Sequence, residues 1–168
     1  CSYDRFREQI LWAMPSYSPN QIYSRVVWLN SAWNSNDRGV TYGGAVTFAL
    51  PGAAPDECMG PQSLIYVGAD SGSSAGKHVL LYNHSSSDLR AVVGTIDGSD
   101  AVDWNTPLTN YVTLDASSST TREPNGCKVA DNKIVATWID GGDEGWCRVG
   151  TVASGLITFG TVARFADV

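Results

Sequence analysis

The chain has 168 residues, a net charge of −6 and only 17% charged side chains against 43% hydrophobic ones. That length is one domain's worth, and an acidic surface poor in Lys and Arg argues against nucleic acid and anionic membrane, both of which are held by basic patches. No stretch approaches the roughly 18 apolar residues of a spanning helix, so no membrane insertion is expected. No charged-then-apolar leader opens the chain, which reads as mature or as beginning inside a longer one.

Taken in order, the first three β-type runs are "QILWAMPS" (9–16), "QIYSRVVWLN" (21–30) and "VTYGGAVTFAL" (40–50). They are rich in Val, Ile, Thr and aromatics and are separated by polar turn residues, the punctuation of strands and hairpins. Cys1–Glu8 offers at most one helical turn. "PQSLIYVGAD" (61–70) follows, then "HVLLYNHS" (78–85), "LRAVVGTID" (89–97) and "VDWNTPLTNYV" (102–112). After "CKVADN" (127–132) the same three-run sequence recurs as "KIVATWID" (133–140), "WCRVGTVAS" (146–154) and "ITFGTVARFAD" (157–167). Tyr82 and Trp138 are 56 residues apart, as are Val93 and Val149; Trp104 and Phe159 are 55 apart, and Tyr42 takes the matching place in the first set. Three landmarks holding register to within one residue mark internal repeats, with units at about 1–57, 58–115 and 116–168 and 61–70 and 127–132 as candidate fourth strands.

A three- or four-stranded meander cannot cover both of its faces, and stacking copies side by side solves that problem. The units "VATWID…WCRVGTVASGLITFGTVARF" and "VLLYN…LRAVVGTIDGSDAVDWNTPLTNY" resemble the blade repeat of secreted microbial, algal and phage-tail-type β-propeller proteins. The resemblance spans about 75–168 well and 9–50 loosely. It implies an all-β, propeller-like array of three antiparallel blades and brings no catalytic residues with it. Closed propellers have at least four blades, so the array is an incomplete ring that belongs to a longer chain or completes itself with other subunits. The structural alternative is a closed sandwich or barrel with decayed repeats.

Four cysteines, Cys1, Cys58, Cys127 and Cys147, fit two disulfides and an oxidising compartment, with three connectivities open. Asn83-His84-Ser85 is a glycosylation sequon, Asn125-Gly126-Cys127 a rarer variant, and the hydroxyls of 117–121 are candidates for O-linked sugar. Together these features place the chain outside the cell or on its surface.

The acidic turn "DGGDEGW" (140–146) holds Asp140, Asp143 and Glu144 close enough in sequence to ligate Ca2+. It also resembles the Asp-box turn of sialidase-type propellers, although the spacing is off by one and the leading Ser/Thr is missing. A solvated hairpin turn is the plainer account, and no cofactor is otherwise expected. Asp100 with Asp103, or Asp140 with Glu144, are the nominal carboxylate pairs for glycoside hydrolysis. His84, Ser85 and Asp88 are adjacent in sequence, but triad members meet by folding, and no GxSxG elbow exists. His78 opens a strand and reads as structural. The long loop "WLNSAWNSND" offers Trp28, Trp33, Asn34, Asn36 and Asp37 as a glycan contact, because an indole stacks on a sugar face while amides and carboxylates bond its hydroxyls. The competing reading is that Trp33 pins the loop to a neighbour. The function expected from all this is a non-enzymatic, self-associating structural or adhesive surface module, an oligomer or filament with glycan recognition. A secreted, sialidase-like glycan-cleaving hydrolase is the alternative.

Overall fold

The computed structural model describes residues 2–4, 9–15, 21–29, 40–49, 63–69, 76–83, 88–96, 102–104, 111–115 and 122–166. Its described elements are all strands, and every pairing is antiparallel. The first sheet runs β1 (Ser2–Asp4), β2 (Gln9–Pro15), β3 (Gln21–Leu29) and β4 (Val40–Ala49) in chain order. The second runs β5 (Ser63–Ala69), β6 (Gly76–Asn83) and β7 (Leu89–Ile96), and its last place is shared by β8 (Val102–Asp103) and β9 (Val112–Asp115), both paired with β7. The third repeats this plan: β10 (Arg122–Ala130), β11 (Lys133–Ile139) and β12 (Gly145–Ala153) lead to β13 (Leu156–Phe159) and β14 (Ala163–Ala166), both on β12. Among the described residues no strand of one sheet pairs with another sheet, so the described strands are not closed into a barrel.

The sequence repeat is a repeat of register. Val79 faces Val93 across β6–β7, and Val135 faces Val149 across β11–β12. One step along lie the ladders His78–Gly94 and Ile134–Gly150, with Trp104 against Gly94 and Phe159 against Gly150. In the first sheet Ile10, Val27 and Tyr42 form the matching row, and Leu11–Val26 the next one. Even the irregularities recur. The β5–β6 register slips at Val67, between Tyr66 and Gly68, and the β10–β11 register slips at Val129, between Lys128 and Ala130. β9 slips against Leu89/Arg90 as β14 does against Gly145/Trp146. A bulge that recurs at one place in two copies is a built feature of the sheet.

The sheets pack face to face. Alternate residues of a strand point to opposite faces, and in the second sheet both sets are covered. Leu80, Tyr82 and Val92 meet Leu11 and Val26 of the first sheet. Val79, Leu81 and Val93 meet Ile134, Ala136 and Trp138 of the third. β6 is therefore buried along its whole length, whereas β11 alternates. The indole Nε1 of Trp104 donates to Ser24 Oγ at 2.9 Å inside the first seam, so the largest buried side chain there leaves no orphaned donor. The close approach of Trp104 depends on Gly94, where a Cβ would come within 2.6 Å of the indole ring.

Two expectations change. The third run of each later copy is two short strands. In the third copy the break falls at Gly160, whose N–H leaves the strand to bond Val149 O at 2.9 Å. The expected disulfides are not formed by the described cysteines: Cys127 and Cys147 are free thiols. They sit on β10 and β12 with β11 between them. Two strand spacings, about 9.6 Å, exceed the roughly 7 Å Cα separation a disulfide tolerates. Cys1 and Cys58 lie outside the described residues.

Candidate functional site

Between the second and third sheets the packing opens into a cleft of about 450 Å3. Thr113, Leu114 and Asp115 of β9 form one wall; Trp138 of β11, Asp140, Trp146 and Arg148 of β12, and Val162 form the rest. Strand periodicity delivers these side chains. Trp146 and Arg148 are two apart on β12, and Trp138 lies directly opposite Trp146 across β11–β12, so all three share the face turned toward the second sheet.

Two carboxylates enter this cleft, and both are used as acceptors. Asp115 Oδ2 takes the indole N–H of Trp138 at 2.9 Å, a bond that ties the second sheet to the third. Asp140 Oδ2 takes the indole N–H of Trp146 at 2.9 Å, while its Oδ1 accepts the backbone N–H groups of Gly142 (2.9 Å) and Glu144 (3.0 Å). The turn is closed further by Asp140 N–H to Glu144 O and Asp143 N–H to Asp140 O, with Asp143 in the left-handed region that Asp tolerates. Asp140 thus acts as an Asx-type turn clamp. Its carboxyl is held below the ordinary carboxylate value, first by the Trp146 N–H, then by the Glu144 N–H and by the other donors around it. Arg148 Nη1 donates to Leu114 O at 2.8 Å. Its Nε is buried and finds no acceptor among the described residues.

The acidic turn thus enters the cleft as a hydrogen-bonded turn. Asp140 is occupied by its own turn, Glu144 pairs with Arg164 at 2.8 Å, and Asp143 is exposed. Among the described residues no group of three or more His, Cys, Asp or Glu side chains is placed to hold a metal ion. Trp28 lies in β3 opposite Gln9 and Thr41, and its side chain is not described. Trp33, Asn34, Asn36 and Asp37 lie outside the described residues, as do Asp100, His84, Ser85 and 117–121. Asn83 closes β6 in a buried position, which argues against sugar attachment there, while Asn125 is exposed. His78 is fully buried and packs on Tyr66 at 5.3 Å between ring centroids, and Asp88 pairs with Arg90 at 3.3 Å.

Asp115, Trp138 and Arg148 are the cleft residues that the motif reading passed over. The signal that would have found them is the difference between copies: Trp138, Trp146 and Arg148 take the places of Tyr82, Arg90 and Val92. Fold and site together define an all-β protein of three stacked repeat sheets with a Trp- and Asp-walled cleft at one seam. No family model, curated protein or solved structure matches the chain.

Proposed function

We propose that this chain is a non-enzymatic surface module that binds a sugar in the cleft between the second and third sheets and associates with further copies of itself. The observation that carries the binding half is Arg148. A buried guanidinium N–H without an acceptor is costly, and this one lies in the lining of an open cleft beside the half-buried indole of Trp146. A pyranose supplies both complements: a C–H face for the indole and a hydroxyl or carboxylate oxygen for the Nε. Binding suits the two carboxylates better than hydrolysis does. A glycosidase needs one acid with a raised pKa, whereas Asp140 is held low and both carboxylates already serve indole donors. An extracellular setting draws on composition and on the Ser/Thr-rich segments; the two free thiols lend it nothing.

Titration calorimetry against neutral and uronic-acid-containing oligosaccharides tests the reading. Saturable binding is expected, reduced at least tenfold in Trp146→Ala and in Arg148→Lys, with no sugar released from the same substrates on prolonged incubation. Absence of heat with every sugar, or binding indifferent to both substitutions, removes it.

A further inference from the structure

The three sheets repeat one another closely enough for each residue to be followed from copy to copy. Val26, Val93 and Val149 occupy one position, each opposite Leu11, Val79 or Val135 on the preceding strand. Val26 is 0% exposed because the second sheet covers it, and Val93 is 1% exposed because the third sheet covers it. Val149 is 49% exposed. The same holds for the two bulges. Val67 is buried against the third sheet, and its counterpart Val129 is exposed. Leu114 is buried in that seam, and Phe165, at the same slip in β14, is 59% exposed. Val129, Val149 and Phe165 are thus exposed repeats of core residues, in a face whose earlier versions are each covered by the next sheet.

The other end of the stack shows the complement. Leu80 and Ala136 occupy one position and are fully buried, each turned toward the preceding sheet. The matching residue of the first sheet is Trp12, which is 41% exposed with Tyr23 edge-on to it at 6.2 Å. One chain therefore carries both halves of the contact it makes internally, the covering half at its first sheet and the half to be covered at its third.

We propose that the outer face of the third sheet, centred on Val129, Val149 and Phe165, docks the Trp12 face of the first sheet of a second copy, so that copies add head to tail and continue the internal stack. This deepens the self-association in the functional reading above and is independent of its sugar site. The occupant is a second copy because the face is continuous with the seam between the second and third sheets and copies its residues. A tail-to-tail dimer would instead place two faces of the covered kind against each other, a contact the chain makes nowhere internally. A heterologous contact of this kind closes into a ring or grows into a filament according to the rotation it imposes. Two copies give six sheets, within the roughly four to eight blades of closed propellers.

Sedimentation of the full chain, with two single-end variants, tests this. Wild type is expected at multiples of 18.0 kDa. Trp12→Arg and Val149→Arg, each at an exposed position, are expected as folded monomers by circular dichroism and sedimentation. Their equimolar mixture, in which each partner keeps one intact end, is expected to form a species of twice the monomer mass. Phe165→Lys should reproduce Val149→Arg and replaces it if that variant does not fold. Cys127 shares the Val149 face, so maleimide labelling mapped by mass spectrometry should be fast in the Val149→Arg monomer and slow in assembled wild type. A wild type that stays monomeric at every concentration overturns both the self-association and this interface. An assembly unchanged by Trp12→Arg, or a mixture that stays monomeric, overturns the head-to-tail interface alone.

Discussion

The two seams of the stack are built from the same positions and behave differently. In the first, Leu80, Tyr82 and Val92 pack against Leu11 and Val26, and the Trp104 indole bonds Ser24 across it. The second has Ala136, Trp138 and Arg148 in those places, with Trp146 where the first has Arg90, and it opens into the cleft. Shortening Leu80 to alanine removes filling volume, and the arginine moves from the Arg90 place to the Val92 place, where its guanidinium reaches a carbonyl, Leu114 O. A repeat fold can thus seal one interface and furnish another with a site while leaving the backbone register untouched, because side-chain identity at a few face positions decides which outcome results.

The sharpest way to break that comparison is to exchange the residues. Val92→Arg puts a guanidinium at a position that is fully buried among apolar side chains, and an unpaired buried charge costs about 3–5 kcal/mol. The expected outcome is a chain that melts far below wild type or does not fold. Arg148→Val, the reverse exchange, removes one hydrogen bond but also an orphaned Nε, and should change stability by less than about 1 kcal/mol while abolishing sugar binding. Chemical denaturation of the two variants side by side reads the contrast. Equal destabilisation would mean that the seams are not built differently.

The next effect sets the two glycines against each other. At Gly94 an added Cβ meets the Trp104 ring and Val102 within 2.8 Å, inside the first seam. At Gly150 the nearest atoms are the tip of Ile157 and the Phe159 ring, both at 2.8 Å. Overpacking costs about 1–3 kcal/mol. Gly94→Ala should fall at the upper end, because a fully buried indole hydrogen-bonded to Ser24 has nowhere to go. Gly150→Ala should fall at the lower end, because the Ile157 tip can rotate away. Thermal melting orders the pair; equal losses would show that the seams are equally tight, and the reverse order that the second is the tighter.

How much of this was legible in the chain differs from residue to residue. The 56-residue spacing of Tyr82 and Trp138 could be read because β-type runs keep their apolar positions when copied, and the antiparallel registers keep it too. The split of the last run into β13 and β14 could not, since it depends on where the Gly160 N–H goes. The even number of cysteines suggested pairing, but β11 separates Cys127 from Cys147, and parity says nothing about distance. The hairpin turn at Asp140 could be read from an Asp before Gly-Gly, but that its carboxylate also takes the Trp146 indole N–H could not, because that bond depends on where the strand turns the ring. Asp115 escaped notice because its partner Trp138 lies 23 residues on, in the next sheet.

The smallest effect separates the second seam from the first by pH. Asp140 is ionised and bonded in the folded chain, so its folded pKa lies below the ordinary carboxylate value of 3.8. The unfolded chain therefore takes up a proton at this group before the folded one does. The stability it contributes is complete above the unfolded value and is lost as pH falls through the folded one. Asp140→Asn removes the titrating group and turns an amide donor toward either the Trp146 indole or the Gly142 and Glu144 N–H groups, all of them donors. The variant should be less stable than wild type at neutral pH, and the gap should narrow as pH drops below about 4. Melting temperatures measured between neutral pH and pH 2 decide it. A gap that stays constant across that range would mean that the Asp140 charge is not what holds the turn and Trp146 at the cleft.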